Sequence, residues 1–423
     1  MPESGIAVVG ARPDVDVSII MPCLNEAGCL PASIAKAREA LDMMRQRYGL
    51  SGEIILADNG STDGSPTIAE TLGVRCVHVT RRGYGAALSG GAKAAHGRYL
   101  VMGDADGSYD FRDAVAMIDK LMQGADVCMG SRFKGRIEPG AMPWKNRYIG
   151  NPILTGILNV LFRAGISDAH CGLRALTRAS FDQLQLSGDG MEFASEMVIK
   201  ATLKGCKIAE VPATLSRDLR GRPPHLRPWR DGWRHLRYLL MLSPTWLFAV
   251  PAATFAALAL TILCLAGVGA LQGAPRAYIG NYWIILAGGL LTVAHSAALL
   301  AAAGNLYGVR EGYRRRSDRS QAFARWVSLE MMLIAGAVCV LTGGGILAVL
   351  FGYWSAHSFE PILNVFPAVL GTSLMVIGAQ NILGGFLIAI VNGNDADFIR
   401  PASSPLPAAE ASAAPAPLPN EAA

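Results

Sequence analysis

None of the eight cysteines, at 23, 29, 76, 128, 171, 206, 264 and 339, forms a Cys-x-x-Cys pair. That absence excludes a zinc site of such spacing and argues against a disulfide frame, so the thiols read as reduced, packed or facing lipid. No internal repeat is apparent, and no Ser-His-Asp set or covalent nucleophile stands out, so covalent catalysis is not expected. No cleavable leader is expected either, because residues 1–15 are polar and the apolar run 15–24 is short and ends on Asn25-Glu26. The charge excess is small, +5 with a pI near 8.8, and its arginines cluster beside apolar stretches. Anionic lipid headgroups are therefore the expected partner, and nucleic acid is not.

What the chain does have is apolar mass, unevenly placed. Its 423 residues are 51% hydrophobic, with a mean hydropathy of +0.31. Up to Pro244 charged helical stretches alternate with short apolar runs, as in a soluble α/β domain. Beyond it lie apolar stretches at 247–271, 282–303, 326–351 and 366–391. Each reaches the roughly 20 residues that cross a hydrocarbon core. The second connection carries Arg310, Arg314, Arg315, Arg316, Arg319 and Arg325, the first only Arg276, and residues 352–365 neither Lys nor Arg. The positive-inside rule then predicts a multi-pass protein of the inner (plasma) membrane with its amino-terminal domain and carboxyl tail in the cytoplasm. Residues 396–423, rich in Pro, Ala and Ser, read as a disordered tail.

The amino-terminal part reads as repeated strand-helix units, with strands at 16–22, 53–58, 74–80, 99–103 and 126–130, and a later one at 207–215. Such alternation argues for an α/β domain with a mostly parallel sheet covered on both faces. Three strand ends carry polar chemistry: Pro22-Cys23-Leu24-Asn25-Glu26, Asp58-Asn59-Gly60-Ser61-Thr62-Asp63 and Asp104-Ala105-Asp106. All would emerge on one edge of the sheet, where ligands of open α/β folds gather. Taken singly, Asn25 or Asp63 could cap a helix and Asp58 could close a turn. The pair Asp104 and Asp106 offers two hard oxygen ligands for a divalent cation that could hold a diphosphate.

In these motifs the chain resembles the family 2 glycosyltransferases with the GT-A (Rossmann-like) fold, and more narrowly the dolichol- and polyprenyl-phosphate sugar transferases. The resemblance implies a glycosyltransferase domain over residues 16–227 after a flexible 1–15. A basic amphipathic juxtamembrane helix at 228–244 and an all-α four-helix transmembrane domain at 245–395 would follow. By that likeness Asp58 and Asn59 meet the base or ribose of a nucleotide sugar, with Pro22, Asn25 and Glu26 in the same pocket. Asp104 and Asp106 match the metal and diphosphate motif for Mg²⁺ or Mn²⁺, and Ser108 stands where relatives carry a third ligand, a glutamine. Arg132 and Arg147 match basic residues that hold an acceptor phosphate, and Asn151 falls where a serine assists. Asp168, in the block Asp168-Ala-His-Cys-Gly-Leu-Arg174, is a candidate active-site acid or a turn cap. Among seven arginines between 217 and 237, one or two of Arg217, Arg220 and Arg222 would fold over the donor diphosphate.

The string Arg82-Gly-Tyr-Gly-Ala-Ala-Leu-Ser-Gly-Gly91 lacks the glycine spacing of a dinucleotide fingerprint and follows the third strand, so it reads as a tight lead-in to a helix beneath the donor. The implied reaction moves a hexose, with inversion, from UDP-glucose or GDP-mannose to a polyprenyl or dolichyl phosphate. Glucose is slightly favoured. Assembly into a homo-oligomer is left open. Two alternatives stand beside this reading. One is a processive polysaccharide synthase, for which Gln321-Ala-Phe-Ala-Arg325-Trp326 is the nearest but mis-spaced signature. The other is a lipid-linked sugar flippase with a non-catalytic module, prompted by His295, Glu330, Gln380 and Asn381.

Overall fold

The computed structural model describes residues 15–220, 228–272, 279–314 and 328–392. The expected disordered tail, Arg222, Arg276, Arg315, Arg316, Arg319 and the 321–326 string lie outside the described residues, as does nearly all of the expected flexible amino terminus.

Seven strands, β1 (Val17–Cys23), β2 (Gly52–Asp58), β3 (Arg75–His78), β4 (Tyr99–Met102), β5 (Val127–Ile137), β6 (Arg174–Thr177) and β7 (Ile208–Leu215), form one sheet in the order β3-β2-β1-β4-β6-β5-β7. β1 is mostly apolar because both its faces are covered, and its one hydroxyl, on the buried Ser18, donates to Glu53 Oε1 at 2.7 Å. Val17, Ile19 and Met21 pack under α1 (Leu30–Tyr48), α2 (Ser65–Thr71) and α4 (Ala114–Met122). Ile20 faces α3 (Tyr84–Ala94), α5 (Asn151–Phe162), α6 (Arg178–Leu184) and α7 (Phe193–Lys204) on the other side. α1 ends on Gly49 at φ 71°, whose amide closes back onto the Arg45 carbonyl, the left-handed stop that glycine permits.

The sheet is mixed. β6 runs antiparallel to both β4 and β5, whereas β5 and β7 are parallel. This strand was not anticipated: it has four residues, too few for a period to show, and it lies inside the Asp168–Arg174 block and its sequel. β5 also outlasts the expected 126–130, continuing to Ile137 past an irregularity between Ser131 and Arg136. The register places Cys23 opposite Asp58 and Ile20 opposite Met102, so the chain after β1, β2 and β4 emerges on one edge.

α8 (Pro228–Met241) leads from this domain to the apolar helices α9 (Val250–Leu271), α10 (Asn281–Arg310), α11 (Leu329–Ala356) and α12 (Phe366–Asn392). Among the described residues four helices are long and apolar enough to cross a membrane: Thr245–Gly269, Asn281–Arg310, Leu329–Ala356 and Phe366–Asn392. α11 and α12 meet backbone to backbone. A Cβ on Gly336 would stand 2.7 Å from the Gly378 carbonyl oxygen, and one on Gly343 2.5 Å from that of Gly371. Small residues of this kind let apolar helices associate by close packing where no hydrophobic effect drives them together. On α8 the residues Trp229, Trp233, Leu236 and Leu240 share one helical face, that of a basic amphipathic helix leading to the first span. His235 and Leu239 are the buried pair, and Trp233 is exposed.

Candidate active site

Two loops at the sheet edge brace each other before any acid is placed. Asn25 adopts φ 60°, a left-handed conformation that asparagine tolerates, and its Oδ1 accepts from the Thr62 amide at 2.7 Å. The Glu26 amide donates to Ser65 Oγ at 3.0 Å and the Ala27 amide to Asp63 Oδ2 at 2.9 Å. Asn25 and Asp63 thus tie the loop after β1 to the loop after β2. Asp58 closes its own turn, accepting from the Gly60 and Ser61 amides at 3.1 and 3.0 Å and meeting His78 Nδ1 at 3.2 Å. Burial pushes its carboxyl up, but bonds from Ser61, His78 and Gly60 outweigh this and hold it below the usual carboxylate range.

Beside these loops lies a cleft of about 330 Å³ lined by Pro22, Glu26, Asn59, Arg82, Tyr84, Asp104, Asp106 and Arg220, together with Cys23, Leu24, Gly83, Ala87, Ala105 and Met191. Asp104 Oδ1 accepts the Tyr84 hydroxyl at 2.9 Å. Burial raises the Asp104 carboxyl above its ordinary range, against the pull of Tyr84 and of the guanidinium groups of Arg220, Arg174 and Arg132. Asp106 Oδ1 accepts from the Ser108 amide at 2.9 Å and hydroxyl at 2.5 Å, while its Oδ2 pairs with Arg220. Arg220 also reaches Glu26 Oε1 at 3.5 Å. A guanidinium therefore spans carboxylates from two strand ends.

Arg82, Tyr84 and Met191 were not read as site residues. Asn59 explains how the first two arrive: its Nδ2 donates to the Val79 and Arg81 carbonyls at 3.0 and 2.7 Å, and its Oδ1 accepts from the Gly83 amide at 2.7 Å. The Asn59 side chain thus folds the glycine-rich lead-in over the cleft. The only hint was the Arg-Gly-Tyr-Gly string itself. Gly83 sits at φ 135°, and a Cβ there would collide with the Asp189 carbonyl oxygen, which accepts from the Gly85 amide at 2.8 Å. Gly83→Ala is expected to cost on the order of 3 kcal/mol, from strain plus overpacking, and to weaken nucleotide binding. Thermal unfolding with and without a nucleoside diphosphate measures both effects.

The remaining expected residues lie elsewhere. Ser108 is turned onto Asp106 and does not line the cleft, so it supports a carboxylate where a third ligand was expected. Asp58 and Asn25 are likewise outside the lining, spent on the turns described above. Asp168 is fully buried and bidentate to Arg132, with Oδ2 and Oδ1 each 2.7 Å from Nε and Nη2. It anchors that arginine instead of presenting a free acid. Arg147 lies in a π-helical turn, Asn146–Gly150, its guanidinium 5.4 Å from the centre of the Tyr148 ring, and does not line the cleft. Asn151 opens α5, with Nδ2 against the Met142 sulfur at 3.5 Å. Arg217 donates to the Pro139 carbonyl at 2.6 Å, pinning β7 to the end of β5, so of the two described diphosphate candidates only Arg220 enters the cleft.

Among the described residues no group of three or more His, Cys, Asp or Glu is arranged as a metal cage. The donor set still fits a hard divalent cation, because Asp106 and Glu26 already share a cationic group in Arg220 and Asp104 opens on the same cleft. Mg²⁺ is commonly held by one or two carboxylates, with substrate phosphates and water supplying the rest. Asp104 and Asp106 would hold it here.

An α/β domain with paired acids at its sheet edge, beside a cleft, is joined here to four helices long and apolar enough to cross a membrane. Residues 18–185 match the family described as Glycosyl transferase family 2, and residues 302–392 match the Glycosyltransferase family 2 C-terminal transmembrane region. The low-salt glycan biosynthesis hexosyltransferase Agl6 of Haloferax volcanii is 36% identical over 380 residues, 88% of each chain. The chain belongs to glycosyl transferase family 2 and is a multi-pass membrane glycosyltransferase. A dolichyl-phosphate hexose transferase of the same organism is 28% identical over 47% of this chain and 81% of its own length. Glucosyl-3-phosphoglycerate synthase from Mycobacterium tuberculosis, solved with Mn²⁺ and UDP-glucose, aligns with a TM-score of 0.41 and 20% identity over 54% of this chain and 78% of its own.

Proposed function

We propose that this enzyme transfers a hexose from a nucleotide sugar, UDP-glucose or GDP-mannose, to a polyprenyl or dolichyl phosphate at the cytoplasmic face of the membrane. The observation that carries the reading is the meeting of Glu26, Asp104, Asp106 and Arg220 in one cleft of a chain that also bears four membrane spans. The dolichyl-phosphate hexose transferase among its relatives supports the acceptor class.

A phosphate monoester has its second pKa near ~6, so a lipid phosphate is already largely a dianion at neutral pH and needs no strong general base. The difficulty is electrostatic, since two anionic groups must approach within bonding distance. On the donor side Arg220 is placed to exchange its carboxylate partners for diphosphate oxygens, and a divalent cation on Asp104 and Asp106, when bound, supplies charge that stabilises the leaving group. Toward the acceptor, Arg132 is held by Asp168 through Nε and Nη2, which leaves Nη1 to offset the acceptor's charge. A direct displacement inverts the anomeric carbon.

The test is purified full-length protein in detergent or lipid nanodiscs, assayed with a panel of nucleotide sugars and undecaprenyl phosphate, with and without Mg²⁺ or Mn²⁺. One sugar is expected per lipid phosphate, and chelation of the metal should remove most of the activity. A polymeric product, or transfer to no lipid phosphate with any donor, overturns the proposal.

A further inference from the structure

α8 is the stretch of chain that joins the catalytic domain to the first span, and it packs against α5 and α7. His235 on α8 is 6% exposed, and its Nδ1 lies 2.8 Å from Ser195 Oγ on α7. That hydroxyl, fully buried, is also 3.4 Å from His170 Nε2. The two imidazoles meet edge to face, centroids 4.9 Å apart at 88°. His170 belongs to the block that carries Asp168, and its own amide donates to Asp168 Oδ1 at 3.3 Å. An unbroken run of contacts therefore links α8, through His235, Ser195, His170 and Asp168, to Arg132. Beyond the end of α8, the Leu242 carbonyl accepts from Arg314 Nη2 at 2.9 Å, which ties the same segment to the end of α10.

A hydrophobic helix face could have been seated with leucines alone, as Leu239 is. Burying a hydroxyl and two imidazoles instead is costly unless their bonds are made, and here the Ser195 hydroxyl meets both rings while His170 Nδ1 is buried with no hydrogen-bond partner among the described residues. Burial, then His235 and the guanidinium groups of Arg132 and Arg174, hold His170 well below its ordinary pKa, so it stays neutral in this network. None of these three side chains lines the donor cleft.

We propose that His235 is a positioning residue for the acceptor: through Ser195 and His170 it fixes the Asp168–Arg132 pair relative to the membrane-entering helix, and so governs use of the lipid phosphate but not of the nucleotide sugar. This rests on the acceptor class argued above. A residue that only stabilised the fold would disturb both substrates alike.

The experiment compares wild type, His235→Ala, His235→Asn and Ser195→Ala as full-length proteins in nanodiscs, with KM measured separately for undecaprenyl phosphate and for the nucleotide sugar. Loss of one buried hydrogen bond is expected to raise the acceptor KM about tenfold in His235→Ala and Ser195→Ala, with the donor KM unchanged within about twofold. His235→Asn, whose carboxamide can meet the Ser195 hydroxyl, should restore the acceptor KM. Ser195→Ala carries the test where His235→Ala does not fold. Equal change in both KM values, no change in either, or failure of the asparagine to restore overturns the inference. A wild-type enzyme that glycosylates no lipid phosphate refutes the acceptor class instead, so the two failures are distinct.

Discussion

Replacing Asp104 and Asp106 together by asparagine is expected to lower sugar transfer by at least about 10³-fold, since electrostatic and metal contributions to such a transition state are worth several kcal/mol and each ~1.4 kcal/mol is a factor of ten. The substitution keeps shape and most hydrogen bonds. An asparagine oxygen at 104 can still accept the Tyr84 hydroxyl, and one at 106 the Ser108 amide and hydroxyl. What disappears is negative charge facing the cleft. At position 104 that charge is held at a cost, because burial lifts the carboxyl above its usual range even with three guanidinium groups nearby. A neutral side chain there removes the cost, so Asp104→Asn alone should leave the unfolding temperature unchanged or raise it while activity collapses. At 106 the Arg220 partner is lost, which offsets part of that gain. Transfer assays beside thermal unfolding check this, and Mn²⁺ binding in the presence of a nucleoside diphosphate should weaken in parallel. Unchanged transfer by the double variant would remove the acid pair from the reaction.

Elements whose signal is local could be seen in the sequence, and elements that depend on partners distant in the chain could not. β1 reads as buried from its short apolar run, and the four candidate spans from length and apolar composition. Pro22, Glu26, Asn59, Asp104, Asp106 and Arg220 do come together around one cleft. The antiparallel β6 escaped notice because four residues carry no period and nothing in Arg-Ala-Leu-Thr reports strand direction. Tyr84 escaped because its role depends on Asn59 drawing the turn after β3 across to β4. Ser108 and Asp168 illustrate the converse limit. A motif position tells which residue type stands there, but not that the Ser108 hydroxyl donates to Asp106 or that the Asp168 carboxylate is already paired with Arg132.

Removing the Asp168 carboxylate is the second large effect. In Asp168→Ala the Arg132 guanidinium, 9% exposed at its side chain, loses both short bonds and stays charged, since a guanidinium is not deprotonated in a protein. A buried charge deprived of its partner typically costs about 3–5 kcal/mol, so Asp168→Ala is expected to unfold many degrees below wild type. Glu210 compounds the loss, because its carboxylate holds the Ser167 amide at 2.7 Å and the Asp168 amide at 3.3 Å, a loop with no reason to keep its shape once the pair is gone. Destabilisation by itself would not tell an acceptor-binding arginine from a structural one. Asp168→Leu with Arg132→Met separates them, because an apolar pair of similar volume commonly restores what the broken ion pair lost. The double variant is expected to recover most of the unfolding temperature and to bind nucleotide sugar normally, yet to remain at least about 10²-fold impaired in transfer to lipid phosphate, the scale on which a single charge-stabilising donor acts. Recovery of transfer along with stability would make Arg132 and Asp168 a buried strut and move the acceptor phosphate elsewhere on the domain.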